Sequence, residues 1–166
     1  SSFSNNQLLV NNSLTISGST FNGPGYIVAD GNITISSSSA INGNIFIICS
    51  GSITISDSQV GTDINTPVIC YSKGNASYND SNIYGLIVSK GSSLALDGSN
   101  LYGAILNYSS SFSLDGDTDI IGSVVSKYTA DFQSNLVSIT KGNIPEFAGL
   151  SIGLDPFVVP GSYLEY

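Results

Sequence analysis

The stretch that decides the fold of this chain is residues 31–61, GNITISSSSAINGNIFIICSGSITISDSQVG. Within it the tetrapeptide Ile-Thr-Ile-Ser occurs at residues 33–36 and again at residues 53–56. In both copies apolar and polar residues alternate, which is the period of a β-strand with one buried face. Two copies at a fixed offset indicate a structural unit that is repeated along the chain.

The same signals recur on both sides of this stretch. Each unit ends on a glycine, and successive glycines are 18 to 24 residues apart, at Gly23, Gly43, Gly61, Gly85, Gly103 and Gly122. Alternating runs that resemble Ile-Thr-Ile occupy residues 14–16, 33–35, 53–55, 94–96 and 112–114. A period of this kind means that one supersecondary unit is stacked many times.

The length of the unit selects the architecture. It is too short for a propeller blade, and it lacks the Leu/Asn pattern of leucine-rich repeats. We therefore predict an all-β fold, a right-handed parallel β-helix of about six to seven coils over residues 1–141. Inward-facing residues should form an aliphatic ladder of Ile16, Ile35, Ile55, Leu96 and Leu114. Corner glycines should lie where positive φ or a close backbone approach is needed.

Two segments depart from the repeat. The unit between Gly61 and Gly85 has extra residues, and we predict a loop over residues 63–67 that projects from one corner. After Lys141 the pattern stops, and residues 142–166 are richer in Pro and aromatic residues. An open end of a β-helix exposes strand edges, so this C-terminal tail is expected to pack on the helix or cap its end.

Charge and composition exclude several classes of function. The net charge is −8, with four Lys, no Arg and no His, so the basic stripe that nucleic-acid binding requires is missing. No apolar run is long enough to span a membrane. Without His, no pair of nucleophile and base is recognisable, so we expect no enzyme and no cofactor. Lys73, Lys90 and Lys127 have similar positions in their units, which indicates a solvated ladder.

The two cysteines leave two interpretations open. Cys49 and Cys70 lie in apolar runs about one unit apart. They are either buried free thiols or a disulfide between neighbouring coils, which would suit an oxidising exterior. Counting to the following glycines places them out of register, which would stretch the Cα separation beyond bridging range.

Exposed tyrosines are the candidate ligand-binding residues. Tyr84 and Tyr102 occupy the same position before a corner glycine, and alternation turns both outward. Tyr71, Tyr108 and Tyr128 also fall near a shared position. Flat aromatic side chains along a rod can hold sugar rings, and the alternative is a cross-strand stack that stabilises the coil.

A short acidic run is the candidate metal site. Asp115, Asp117 and Asp119 place three carboxylates at alternate positions, and calcium is bound by several oxygens on a bending loop. The run lacks the glycine and the closing Glu of an EF-hand loop. The alternative is a turn whose Asp side chains accept hydrogen bonds from backbone amides.

Three stretches, residues 31–47, 84–106 and 160–165, resemble the C-terminal β-helix domains of type IV pilus-associated surface proteins of Gram-positive bacteria. Among these, the tāpirins are the most similar in plan. The resemblance implies a monomeric domain of a larger extracellular, cell-surface protein, an adhesin that binds cellulose or a similar polysaccharide or solid surface.

Two other functions remain open. One is a structural subunit that self-assembles end to end, either pilus-associated or in the manner of bactofilin-like β-helices. The other is ice binding, because Thr15, Thr34 and Thr54 form a short row of threonines that stops after three coils.

Overall fold

A computed structural model describes residues 7–134 and 136–142, and in this part of the chain every regular element is a strand. The strands wind into a right-handed parallel β-helix of about seven turns, so the predicted fold is confirmed. Apart from Gly142, the predicted C-terminal tail lies outside the described residues. The strands are β1 (Gln7–Val10), β2 (Leu14–Ser17), β3 (Thr20–Asn22), β4 (Gly25–Ala29), β5 (Ile33–Ser36), β6 (Ala40–Asn42), β7 (Ile45–Cys49), β8 (Ile53–Ser56), β9 (Gln59–Val60), β10 (Val68–Ser72), β11 (Ala76–Asn79), β12 (Asn82–Ser89), β13 (Ser93–Asp97), β14 (Asn100–Asn107), β15 (Ser111–Asp115), β16 (Asp119–Ser126), β17 (Ala130–Phe132) and β18 (Ser138–Lys141).

The strands form two parallel sheets. One has seven strands in the order β17-β15-β13-β11-β8-β5-β2. The other has eleven, with a main path β1-β4-β7-β10-β12-β14-β16-β18 and a short row, β3-β6-β9, that joins it at β12. Each turn of the chain thus adds one strand to the seven-stranded sheet and one or two strands to the eleven-stranded sheet.

The coil changes shape after the predicted loop. Residues 61–67 contain no strand, and the Asp63 carboxylate accepts hydrogen bonds there from the backbone N–H groups of Asn65 (2.7 Å) and Thr66 (3.2 Å). These bonds, that of Asn65 foremost, lower the pKa of Asp63. From β12 onward a single eight-residue strand replaces the two short strands of the earlier coils.

The long strands bend at a column of glycines. Gly85, Gly103 and Gly122 are paired across β12, β14 and β16 and have φ of 155°, 152° and 154°. A Cβ on any of them would overlap the backbone carbonyl oxygen of the preceding coil. Only glycine allows the strand to turn the corner here while remaining hydrogen-bonded on both sides.

Inside the coil, apolar side chains at equivalent positions of successive coils stack in columns. Ile16, Ile35, Ile55, Leu96 and Leu114 form the predicted ladder on the seven-stranded sheet, and Tyr78 fills the position between Ile55 and Leu96. A second column, with Ile27, Ile47, Cys70, Ile87 and Ile105, packs against it from the other sheet. Burial of these side chains supplies most of the stabilisation of the fold.

One corner of the interior is polar. Ser39, Ser58, Ser81, Ser99 and Thr118 are buried in successive coils. The Ser81 hydroxyl accepts a hydrogen bond from the backbone N–H of Ser58 (3.2 Å) and donates one to the carbonyl of Asn79 (2.8 Å). Each hydroxyl of this type satisfies a backbone group at the turn, which explains why serine is so frequent in the sequence.

Cys49 and Cys70 are free thiols, both buried in the core. Cys49 pairs with Ser72 of the next coil, whereas Cys70 pairs with Ile47 and Ile87, so the two cysteines are two positions out of register. This offset is the reason why no disulfide forms, as the sequence argument indicated. Burial raises the pKa of Cys49 to about 11 and the pKa of Cys70 to about 12.

Candidate functional site

The candidate site lies on the outer surface of the eleven-stranded sheet, around strands β10, β12 and β14. Along β12 the outward-facing side chains are Tyr84, Leu86 and Val88, and Lys90 follows at the next corner. Because neighbouring coils are in register, each of these positions is repeated up and down the solenoid. The surface therefore consists of parallel columns of side chains.

Tyr84 and Tyr102 form the first column, as predicted. They are paired in register on β12 and β14, their ring centroids are 4.4 Å apart, and the ring planes differ by only 9°. Because the two Cα atoms are one coil apart, the ring faces are turned toward each other along the solenoid axis. Ring edges and hydroxyl groups are what this pair presents outward.

The two ends of this stack have different neighbours. In the preceding coil Gly61, which has no side chain, brings its backbone close to the Cβ of Tyr84, and in the following coil Ile121 is paired with Tyr102. Desolvation, followed by the proximity of Tyr102, raises the pKa of Tyr84. Because the two rings face each other, one face of each ring is taken up by the stack.

Lys90 belongs to a second column, which we call the lysine column: Lys73, Lys90, Tyr108 and Lys127. Backbone hydrogen bonds define it: each of these residues donates its N–H to the carbonyl oxygen of the last residue of a strand in the preceding coil, at 3.2, 3.0, 2.9 and 2.9 Å. All four side chains are exposed. The predicted lysine ladder is therefore present, with a tyrosine inserted in it.

The shared position predicted for Tyr71, Tyr108 and Tyr128 is wrong. Tyr71 is paired with Ile48 and Val88, two residues before the lysine column, whereas Tyr108 is a member of that column and Tyr128 follows Lys127. The strands are in register from the corner onward, so the position depends only on the number of residues after it. Tyr71 comes three residues after Val68, which occupies the position of the corner glycine, whereas Tyr108 comes five residues after Gly103 and Tyr128 six after Gly122.

The structure nevertheless brings Tyr71 and Tyr108 together around a cation. The Nζ atom of Lys90 is 5.9 Å from the ring centroid of Tyr71 in the coil before it and 5.7 Å from that of Tyr108 in the coil after it. Lys127 makes a similar contact with Tyr128, at 5.2 Å. These distances are within the range of cation–π attraction. We refer to Tyr71, Lys90 and Tyr108 as the Lys90 cluster.

Apolar residues separate the tyrosine pair from the Lys90 cluster. Ile69, Leu86 and Ala104 face outward in one column, yet they are only 8 %, 4 % and 7 % exposed. Phe46, Val88 and Leu106 are partly buried against them. The side chains between the two groups of aromatic residues are thus apolar and almost fully buried, a feature that the alternation of the sequence alone did not reveal.

A second aromatic pair was also missed by the sequence analysis. Tyr26 and Phe46 stack across β4 and β7, with centroids 5.2 Å apart and an interplanar angle of 21°. Tyr26 lines an open groove of about 460 Å³, together with Thr20, Asn22 and Ile45. The sequence could have indicated this pair, because Tyr26 and Phe46 are each the second residue of a strand in adjacent units and the alternation turns both side chains outward.

The acidic run does not form a metal site. Within the described residues, no three Asp, Glu, His or Cys side chains come together in a way that could hold a metal ion. Asp115 accepts a hydrogen bond from the backbone N–H of Gly116 (2.7 Å), and Asp119 accepts one from the Ser138 hydroxyl. These contacts agree with the alternative interpretation, a turn held by Asp side chains, and give no support to calcium binding by Asp117 with its neighbours.

The row of threonines lies on the outer surface of the other sheet. Thr15, Thr34 and Thr54 are paired in register on β2, β5 and β8, and Ser77 and Ala95 continue the column. The row therefore ends after three coils, as the sequence indicated.

No family model matches this chain, and neither the curated proteins nor the solved structures include a match. Across residues 7–134 and 136–142 there is no helix with the length and apolar character needed to cross a membrane. Function must accordingly be argued from the surface itself.

Proposed function

We propose that this chain is a non-catalytic adhesion module of an extracellular, cell-surface protein. It binds a polysaccharide, cellulose-like or related, or another solid surface through the exposed face of the β-helix. The observation that carries the proposal is the presence of two groups of outward aromatic side chains on the same strands: the Lys90 cluster and, on the other side of the apolar column, the Tyr84–Tyr102 pair, which is in register on successive coils. The resemblance to pilus-associated surface adhesins points in the same direction.

The spacing of the coils suits a linear polymer. Neighbouring parallel strands are about 4.8 Å apart, so each coil offers an equivalent position at intervals close to the length of one sugar residue. The exposed face of Tyr108, which is 49 % accessible, can contact the apolar face of a pyranose ring. The outward hydroxyls of Tyr84 and Tyr102 can exchange hydrogen bonds with sugar hydroxyls.

The adhesion proposal is tested by retention on insoluble polysaccharides. The wild-type domain is incubated with cellulose, chitin, xylan and an insoluble acidic polysaccharide, and we expect it to sediment with at least one of them. Replacing both Tyr71 and Tyr108 with Ala should weaken that binding about thirtyfold, because each aromatic contact contributes about 1 kcal/mol.

The tyrosine pair needs a variant that separates binding from folding. Tyr84→Ala with Tyr102→Ala removes the stack and is expected to lower both retention and the melting temperature. Tyr84→Phe with Tyr102→Phe keeps the stacked rings and removes only the outward hydroxyls, so it should weaken retention while leaving the melting temperature unchanged. Retention on none of the four polysaccharides, or retention that all of these variants leave intact, would overturn the proposal.

A further inference from the structure

The lysine column concentrates the positive charge of an acidic protein. The chain has only four lysines and no arginine, and three of the four lie in this one column. Their side chains are exposed, and none of the three forms an ion pair with a carboxylate of the described residues. Their charges are therefore free to attract a ligand.

Four aspartates in this part of the solenoid lie at a different corner. Asp57 and Asp80 share one column, and Asp97 and Asp115 share the neighbouring one, directly after the strands of the seven-stranded sheet. The lysine column lies before those strands, so β13, with five residues, separates the two corners by about 16 Å. This distance is about twice the Debye length at physiological salt, so these four aspartates barely weaken the attraction of the lysines for an anion. The carboxylates nearer to the column are at its two ends: Asp30 lies two coils before Lys73, and Asp131 follows Lys127 by four residues.

The positive stripe has a definite length. In the two coils before Lys73 the same column holds Ser50 and the exposed Asp30, so the stripe begins at Lys73. Lys73 and Lys90 are on adjacent coils, and Lys127 is two coils beyond Lys90. At about 4.8 Å per coil, the backbone positions of these lysines are about 5 Å and 10 Å apart along a straight line.

Aromatic rings accompany two of the three cations. Tyr71 and Tyr108 flank Lys90, and Tyr128 lies beside Lys127 at 5.2 Å. A ligand that matches this surface needs an anionic group on a chain of rings with apolar faces, repeated at the interval of the coils. Sugar acids have this combination, because each residue has a pyranose ring and one carboxylate.

We propose that the lysine column binds a linear polyuronate, that is, a polysaccharide whose sugar residues bear carboxylates. The inference rests on the proposed function and specifies its ligand class. The polymer runs along the solenoid axis, its carboxylates contact Lys73, Lys90 and Lys127, and its rings lie against Tyr108 and Tyr71.

The test is affinity electrophoresis in native gels that contain polygalacturonate, poly(glycerol phosphate) or the neutral polymer hydroxyethyl cellulose. Lys90→Gln is compared with Lys141→Gln, because Lys141 is also exposed but lies outside the column. Both variants change the net charge equally. We expect polygalacturonate to retard the wild type, and Lys90→Gln to weaken that binding about fivefold, the effect of losing one exposed ion pair.

Further arms of the same experiment complete the comparison. Replacement of all three column lysines by Gln should abolish retardation by polygalacturonate, added salt should weaken it in the wild type, and Lys141→Gln should behave as the wild type. Far-UV circular dichroism melts establish that the Gln variants remain folded, which is expected because the side chains are exposed.

The possible failures are distinguishable. A wild type that binds neutral polysaccharides but not polygalacturonate overturns this inference and leaves the adhesion proposal standing. An equal loss in Lys141→Gln and Lys90→Gln overturns the site, because it reports net charge alone. Binding to poly(glycerol phosphate) in preference to polygalacturonate overturns the ligand class. No binding to any polysaccharide overturns both proposals.

Discussion

Replacement of Gly103 by Ala tests the packing of the coils most directly. Gly103 lies where β14 bends, with φ of 152°, and an added Cβ would overlap the carbonyl oxygen of Gly85 and approach its carbonyl carbon to 2.9 Å. The obstacle is backbone that is itself part of the hydrogen-bond ladder, so it cannot move away as a flexible side chain could. The coils must separate locally.

The magnitude follows from two contributions. A non-glycine residue in a sparsely populated backbone conformation costs about 1–3 kcal/mol. Weakening one or two coil-to-coil hydrogen bonds adds about 1 kcal/mol for each. We therefore expect the free energy of unfolding to fall by about 3 kcal/mol, which corresponds to a loss of about 10 °C in melting temperature for a domain of this size.

Gly18→Ala is the matched control. Gly18 also has a positive φ, 55°, but the nearest atom to an added Cβ is the Ser37 carbonyl oxygen at 3.7 Å, an ordinary contact. Only the backbone preference is lost there, about 1 kcal/mol. Melting is followed by far-UV circular dichroism, with urea unfolding as a second measurement. If Gly103→Ala melts at the same temperature as Gly18→Ala, the argument from close backbone approach is refuted.

Three further changes probe the interior and one corner. The folded-state pKa values of Cys49 and Cys70, about 11 and about 12, are raised above the unfolded value of 9.0. The contribution of these thiols to the free energy of unfolding should therefore be constant below pH 9 and fall as the pH rises toward 12. Replacing both with Ala should make the free energy of unfolding, measured with urea, less dependent on pH in this range. The hydroxyl of Tyr78 is fully buried beside Cys70 without a hydrogen bond of normal geometry, so Tyr78→Phe should raise the free energy of unfolding by about 1 kcal/mol, and a decrease would contradict this. The Asn75 side chain accepts hydrogen bonds from two backbone N–H groups of the next coil, each at 3.1 Å, and from the Ser92 hydroxyl. Asn75→Ala should therefore lower the free energy of unfolding by about 1–2 kcal/mol in the same urea assay. An unchanged urea midpoint would count against this role of Asn75.

Local periodicity was enough to predict the coil. Alternation at residues 33–36 and 53–56 fixed which side chains face inward, and the ladder from Ile16 to Leu114 follows from repetition of that pattern. The same logic placed Tyr84 beside Tyr102, because both directly precede a corner glycine. It also placed Cys49 and Cys70 out of register. Each of these conclusions needs only the two-residue alternation and the repeat of the sequence, because in a parallel β-helix these two properties fix where a side chain lies in its coil.

Column membership near the corners could not be obtained in this way. Tyr108 was expected with Tyr71 but belongs to the lysine column, because the coil of Tyr71 has Val68 instead of a glycine at the corner and the sequence therefore gives no marker from which to count. The sequence likewise did not show the hydrogen-bond partners of Asp115 and Asp119, which are a backbone amide and a hydroxyl group in the folded chain.

The sequence by itself therefore determined the β-helix, its aliphatic interior and the outward direction of Tyr84 and Tyr102, because a two-residue period and a repeat length are local properties of the chain. Only the tertiary structure decided that Lys90 lies between the rings of Tyr71 and Tyr108, and that Leu86 is buried although it faces outward. Such contacts join residues of different coils. They depend on how each corner sets the alignment of one coil on the next, and on the rotamers that long side chains adopt across that alignment.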